Sequence, residues 1–474
     1  MIIDALLFSS LKHSSLPGRA IQAFIAFIEK QIGGTFVVDR GAFLEGDADL
    51  GELQGLAATL IRHKILTSYS PGTQLPDEPP VFIWSAQCNN KQQSMVGGMS
   101  LNNNYEALVA ALAEGLERYL WFESKDYWKG VRRASTKELS SGEYIHIDRY
   151  ASFSDTQRKE SPKRAYSDTS TFTWIEGTSH TQKRPILIPA QTISGVIDPV
   201  LTEEPLIRQR TTIGLATWTS QVGALLSGAL EIIERESFIL SWFNRISPRR
   251  ITPTQSILAA QPGLRQLLER GTRYCLKFHF LQLPTDAPTH VVCAIAEDTS
   301  GHKPRFTIGL KAHRSLGVCL EKACSEALRA RTNFRLRASD PKQQTTTEPV
   351  VNQLNRVLYW TVPGRDTQLE FLLEGSETEV VVEPWEHDTI EEHWDRIVSW
   401  CARNHFECAS VSLGVSKQNP TNLLVESVVI PELQPTHLAE DMMHLGGTRM
   451  KTMVESCGYR ARETPFTELP HPMV

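Results

Sequence analysis

The sequence has no run that approaches ~18 consecutive apolar residues, so no membrane-spanning helix is expected. It has no excess of positive charge either. The formal net charge is −5, which argues against a general nucleic-acid binder. The pattern GxxxxGK[ST] does not occur, so a Walker-type phosphate loop is excluded. The eight cysteines, Cys88, Cys275, Cys293, Cys319, Cys324, Cys401, Cys408 and Cys457, form no CxxC pair, and reduced, mostly buried thiols of a cytoplasmic protein are expected. The start, MIIDALLFSSLKHSSLPGRA, has no basic segment ahead of its apolar stretch, so no signal peptide is expected.

What is present is an ordinary globular composition of 474 residues, 41% hydrophobic and 22% charged. At roughly 150 residues per domain this allows about three units, or one large domain with an appendage. Residues 1–67 read as a small N-terminal α/β unit, with helical spacing over Ile21–Ile32 and Leu50–Leu66 and a short strand at Thr35–Val38. Ser68–Pro80 carries four prolines and reads as a linker or extended crossing segment, and residues 81–474 form the main domain. Strands are expected at Val81–Trp84, Ile186–Ile188, Tyr274–Leu281, His290–Ile295, Phe371–Val382 and Ala409–Val415. Helices are expected over Tyr105–Trp121, capped from Asn102–Asn104, over Leu316–Arg335, and up to Cys401 with Asp388 and Glu391 as a capping pair. Ser339–Pro349 has the composition of a polar loop.

The organising stretch is Gly214–Arg245, a loop followed by a long helix that is apolar nearly all round. Glu231, Glu234 and Arg235 share one face of it, at i, i+3 and i+4. The stretch has a second copy. Gly97–Phe122 superposes on Gly214–Ile239, so that Glu114, Glu117 and Arg118 meet Glu231, Glu234 and Arg235. The third long helix gives a weaker echo in Lys322, Glu326 and Arg331. Several carboxylates set in apolar helices cannot stay ionised near one another without compensation, and two arginines offset only part of that charge. A hard divalent cation is the natural complement, and Mg2+ takes carboxylate oxygens together with substrate phosphates. A Mg2+–nucleotide site between two or three helices is therefore expected, against the alternative of a ligand-free Glu–Arg network. Gly446-Gly447 beside Arg449 and Lys451 is weak evidence for anion binding. His387 and His393 sit around a Glu-rich helix start and read as part of an exposed capped helix, with a metal pair as the alternative, and His437 and His444 read as polar packing residues.

The paired ExxER helices, the phrase EPLIRQRTTIGLATWTS, the following GALEIIERESFILSWFNR and the strand-like RPILIPAQ resemble the YcaO family. The likeness is greatest to its D-protein branch, the ATP-using cyclodehydratase subunit of azole-forming peptide pathways, and it runs from about residue 81 to the end. It implies an α+β fold: a YcaO-type ATP-binding domain with the repeated loop–helix unit, plus the N-terminal appendage. It implies ATP among the helices and Mg2+ on Glu114, Glu117, Glu231, Glu234 and Glu326. Gly97, Gly98, Arg118, Ser227, Arg235, Lys322 and Arg331 fall at companion cofactor positions. Lys322 departs from the family's usual arginine, keeping the charge but losing the bidentate fork. The family's cyclodehydratases end in a proline-rich tail that reaches the active site, which assigns Pro470, Pro472 and Val474 to catalysis, although the final proline is absent.

The implied reaction is attack by a Cys, Ser or Thr side chain of a precursor peptide on the preceding backbone carbonyl. ATP phosphorylates the resulting oxygen, phosphate leaves and an azoline ring remains. The resemblance further implies a leader-recognising partner subunit, a flavin dehydrogenase subunit and a homodimer, with residues 1–67 as a docking surface or structural padding. Competing expectations are backbone thioamide or macrocyclic amidine formation, and a non-catalytic scaffold that retains a nucleotide site.

Overall fold

The computed structural model describes residues 50–75, 77–124, 130–193, 195, 203–338, 349–413 and 419–473. Among these the chain forms three sheets, and one long helix is laid on each. The first sheet is the antiparallel meander β1 (Leu66–Pro71), β2 (Phe82–Cys88) and β3 (Met95–Ser100). Helix α1 (Leu50–Arg62) precedes it, and α2 (Asn104–Glu123) returns across it. The Asn103 side chain caps α2 by accepting from the Glu106 N–H, and Ala107, Leu108, Ala111, Leu112, Leu116 and Leu120 face inward.

The second sheet runs β4 (Arg132–Ser135), β5 (Thr171–Ser179), β13 (Ala409–Ser412), β14 (Leu424–Val429), β7 (Leu215–Trp218), with β6 (Arg184–Pro189) on the other edge of β5. Helix α3 (Gln221–Phe243) leaves β7 through a Ser220 cap on the Gly223 N–H and packs on β7 and β14. The third sheet runs β11 (Phe306–His313), β10 (His290–Asp298), β9 (Leu276–Gln282), β8 (Arg249–Ile251), β12 (Glu377–Thr378), and α4 (Leu316–Ala338) covers β10 and β11.

Glycine sets the closeness of two of these packings. A Cβ on Gly98 in β3 would lie 2.0 Å from the Ala107 carbonyl oxygen of α2, and one on Gly309 in β11 would lie 2.2 Å from the Ala323 carbonyl oxygen of α4. Any larger residue would push the helix off its strand. Most of α3 is buried, so its polar groups need partners inside the protein. Glu236 meets that requirement in an ion triad. Arg449 donates to both of its oxygens at 2.8 Å and to Asp286 at 2.7 and 3.0 Å, tying α3 to the C-terminal segment.

Several expectations shift. The boundary expected at residue 67 lies inside β1, whose residues Ser68–Pro71 pair with β2, and Leu53, Ala57 and Leu60 of α1 share a core with Leu108 and Leu112 of α2. Residues 1–49, with the helix expected at Ile21–Ile32 and the strand at Thr35–Val38, lie outside the described residues, as do residues 339–348. Phe371–Val382 is not a strand beyond Glu377–Thr378. Its apolar start winds as the 3-10 helix Arg365–Leu373, which buries Phe371 against Trp242 at 5.9 Å, while Val381 and Val382 are exposed. Helix α5 (Ile390–Arg403) is capped one residue later than expected, by Thr389 and Glu392.

Candidate functional site

Each long helix returns a glutamate to the strand that precedes it. The Gly97 N–H donates to Glu114 Oε2 at 3.3 Å, the Gly214 N–H to Glu231 Oε2 at 3.0 Å and the Leu310 N–H to Glu326 Oε2 at 2.7 Å. Three residues further along, each helix reaches into the next unit. Glu117 Oε1 accepts from the Thr217 N–H of β7 at 2.7 Å, and Glu234 Oε2 from the Ala312 N–H of β11 at 2.7 Å. On α4 the matching position is Arg329, whose Nη1 donates to the Gly97 carbonyl at 2.8 Å. The three units thus interlock head to tail in a closed ring. The weak third echo in the sequence is a true third unit in which the second carboxylate is replaced by a cation.

The ring gathers the charges in its middle. Arg118 pairs with Glu114 at 3.2 Å, and Arg235 Nη2 stands 3.6–3.7 Å from Glu231, Glu234 and Glu326 at once. Burial and then the charges of Glu114 and Glu231 push the Glu117 carboxyl up to about 8, with Arg118 opposing. Burial also raises Glu234, where Arg235 and Lys311 oppose it and Glu326 and Glu231 reinforce it. Burial works against the Arg235 charge, but Glu234, Glu326 and Glu231 outweigh it and raise Arg235 further. Five carboxylates thus face Arg118, Arg235 and the nearby Lys311, so the excess is negative once all five are ionised, as metal ligation requires. All donors of the cluster are hard oxygens. That set of carboxylate oxygens fits Mg2+. Among the described residues no group of three His, Cys, Asp or Glu side chains already stands together as a metal cage.

The other expected residues are placed as follows. Ser227 stands one turn before Glu231 on the same face of α3 and is half-buried. Lys322, one turn before Glu326, pairs with Glu106 of α2 at 2.8 Å. Gly97 serves the ring through both its N–H and its carbonyl, whereas Gly98 is a contact point for α2. Arg331 is not with the cluster. It is buried elsewhere on α4, bound to Asp298 at 2.6 Å and Glu78 at 3.0 Å, because five residues turn a helix well past the Glu326 face. Glu106, Lys311 and Arg329 were not among the expected residues. Arg329 has a signal in the sequence, since it falls three residues after Glu326, where the two other helices carry their second glutamate.

The C-terminal segment runs into this centre. Pro470, His471 and Pro472 are buried, and the Met473 sulfur accepts from Arg235 Nη1 at 2.8 Å. His471 donates to the His437 carbonyl at 2.8 Å, and its own carbonyl accepts from the buried Arg356 at 2.8 Å. Val474 lies outside the described residues.

The description of the YcaO cyclodehydratase family, ATP- and Mg2+-binding, matches residues 102–434. The chain belongs to the YcaO family. The match spans all three helices of the ring, and the family's ATP and Mg2+ are the two cofactors expected from the residues. Solved YcaO structures share the fold. A heterocyclase in complex with substrate and cofactor is 16% identical with a TM-score of 0.67, over 88% of this chain and 57% of that one, so this chain spans little more than half of its length. The YcaO protein from Methanopyrus kandleri bound with AMPPCP and Mg2+ is 17% identical with a TM-score of 0.59, over 81% of this chain and 91% of that one. The E. coli microcin synthetase McbBCD complex with pro-MccB17 bound gives 12% identity and a TM-score of 0.59, over 84% and 93%. No curated protein matches the chain. Among the described residues no helix is long and apolar enough to cross a membrane.

Proposed function

We propose that this YcaO protein is the ATP-using cyclodehydratase of an azole-forming peptide pathway. It would convert Cys, Ser or Thr residues of a ribosomally made precursor into azolines by phosphorylation of the backbone amide oxygen. The observation that carries this reading is the seat of the C-terminal segment: Pro470–Pro472 is buried, and Met473 rests on the guanidinium that also faces Glu231, Glu234 and Glu326. The carboxylate cluster and the proline-containing segment meet at Arg235, which supports a reaction between a nucleotide held by the cluster and a peptide amide.

The five glutamates would hold Mg2+ and, through it, the nucleotide. ATP supplies the phosphoryl group that makes the amide oxygen a leaving group. Arg235 is placed to balance negative charge that develops beside the cluster. The Glu117 carboxyl, pushed up to about 8, must give up its proton before it can act as a metal ligand. Pro470 and Pro472, with ring-fixed backbones, would steady the segment whose Met473 reaches Arg235, and Lys322 keeps a cation against α2. By analogy with the microcin synthetase complex with pro-MccB17 bound, the substrate would be a precursor peptide and the working unit a multi-subunit complex. The partners implied by the sequence resemblance are a leader-recognising subunit, a flavin dehydrogenase and a second copy of this chain.

The test is to incubate the protein with its precursor, partner and Mg-ATP and to weigh the peptide. Loss of one water per modified residue, located by fragmentation to Cys, Ser or Thr, is expected. A sulfur-for-oxygen mass gain or a fragment-mapped macrocycle would replace this reading with thioamide or amidine formation, and absence of ATP turnover would end it. Glu231→Gln should lower ATP turnover by at least about a hundredfold while the fold is kept. Removing residues 470–474 should abolish ring formation.

A further inference from the structure

Two sequence motifs remain that the carboxylate ring does not use. These are the end of RPILIPAQT after β6 and the run IRQRTT before β7. The fold brings them together. Gln191 Oε1 accepts from the Ile207 N–H at 2.9 Å, and Gln191 Nε2 donates to the Pro205 carbonyl at 3.0 Å. The Gln209 N–H donates to His444 Nε2 at 3.0 Å, and Gln209 Oε1 accepts from the Leu438 N–H at 2.7 Å. A compact cavity opens between the two segments and α3.

Three guanidiniums line that cavity, Arg208, Arg210 and Arg235, with the hydroxyls of Thr192 and Thr211, and no acidic residue lines it. Ile213, Ile232 and Leu433 form apolar wall, which strengthens any charge interaction inside. Glu204 approaches Arg210 from outside the lining, and Glu231, Glu234 and Glu326 meet Arg235 on its far side.

Arg208 is the telling residue. The buried arginines carry acids: Arg449 has Glu236 and Asp286, Arg331 has Asp298 and Glu78, and Arg356 has Glu440, whereas Arg208 is half-buried in the cavity wall. Arg208 has no carboxylate partner among the described residues. Its recorded contact is the Tyr150 ring, 5.1 Å from its guanidinium carbon, and burial holds it below the usual arginine value. A half-buried guanidinium without an acid, in a cavity lined by two further guanidiniums and apolar wall, is a ready seat for an anion that arrives from outside.

We propose that the Arg208 cavity is a binding subsite for a phosphate oxyanion. Its donors suit a tetrahedral, doubly charged group, since a lone carboxylate would be served by one guanidinium fork. The cavity is too compact for a nucleoside but adjoins the carboxylate ring through Arg235. The occupant is then either the terminal phosphoryl of a nucleotide on the ring or the phosphate ion released after transfer. This assignment of the occupant rests on the ATP-dependent reading above.

Inorganic phosphate is the probe, titrated calorimetrically into the intact protein without nucleotide. Arg208→Met should bind phosphate at least about tenfold more weakly, the order expected for losing a charge-assisted contact. Arg208→Lys should fall between, and melting temperatures should show that both fold. Arg210→Gln serves as the second variant if Arg208→Met does not fold. Titration with a Mg-bound non-hydrolysable triphosphate and with Mg-ADP separates the sources. If Arg208→Met weakens the triphosphate but not ADP, the terminal phosphoryl occupies the cavity. If it weakens only free phosphate, the released ion does. Phosphate binding that is absent from the wild type, or unchanged in the folded variants, overturns the subsite and leaves the cyclodehydratase reading standing. Arg208-dependent phosphate binding in a protein that binds no nucleotide would keep the subsite and remove that reading instead.

Discussion

Glu117 is the carboxylate whose protonation the fold controls most visibly. Burial, Glu114 and Glu231 raise it from 4.5 to about 8, so the folded protein without metal binds a proton there that the unfolded chain releases. Between those values the native state holds more protons than the unfolded state, and this group's contribution to stability falls as pH rises through about 4.5 to 8. Glu117→Gln keeps an acceptor for the Thr217 N–H without the charge. Its melting temperature relative to wild type should therefore rise from pH 5 to pH 8 in metal-free protein. A pH-independent difference would show that Glu117 titrates normally. Mg-nucleotide should reverse the order at pH 8, where the ionised wild-type carboxylate gains a cation and glutamine does not. At this scale the sequence was informative for Glu117, because its copy at Glu234 marked it. It was uninformative for Glu106 and for its pairing with Lys322, because the two lie 216 positions apart and share no local pattern.

The C-terminal segment is the element most exposed to pH. His437, His444 and His471 are all buried, with His437 and His471 ring centroids 4.7 Å apart, and burial lowers all three. Arg356 faces the pair, its positive charge also lowers both, and Glu440 partly opposes this at His437. Depressed histidines stabilise the fold fully above the ordinary histidine value of 6.5, and that contribution is lost as pH falls below it. Carboxypeptidase should therefore release residues from the C-terminus faster at pH 5.5 than at pH 7.5, before global unfolding. Equal rates would disconnect the histidines from the segment. Arg356 spans the same seam, donating to the carbonyls of His471, His437 and Leu438 at 2.8–3.2 Å and pairing with Glu440 at 2.8 Å. Arg356→Ala strands these acceptors and should cost about 3–5 kcal/mol, read by denaturant unfolding. Long helices dense in apolar residues, such as α2 and α3, were legible in the chain. Phe371–Val382 was misread because an apolar run says that residues are buried, and here a 3-10 turn against Trp242 buries them.

Across the whole molecule the three units close a ring through Glu117, Glu234 and Arg329. Arg329 is exposed, so Arg329→Ala should cost only about 1 kcal/mol of stability, measured as a shift in the denaturation midpoint. Two units were legible because both spell ExxER. The third was blurred because Arg329 reverses the sign at the second position. Pairings such as Ala409 with Ser179 join strands more than two hundred residues apart and leave no trace in local pattern. The ring has a consequence for descent. Each glutamate that faces the centre is also a latch on a backbone N–H of its own unit or of the next. A lineage that drifted away from catalysis would still be selected to keep those glutamates for folding. On that argument the ExxE glutamates would persist with the fold even where the chemistry at the centre had changed.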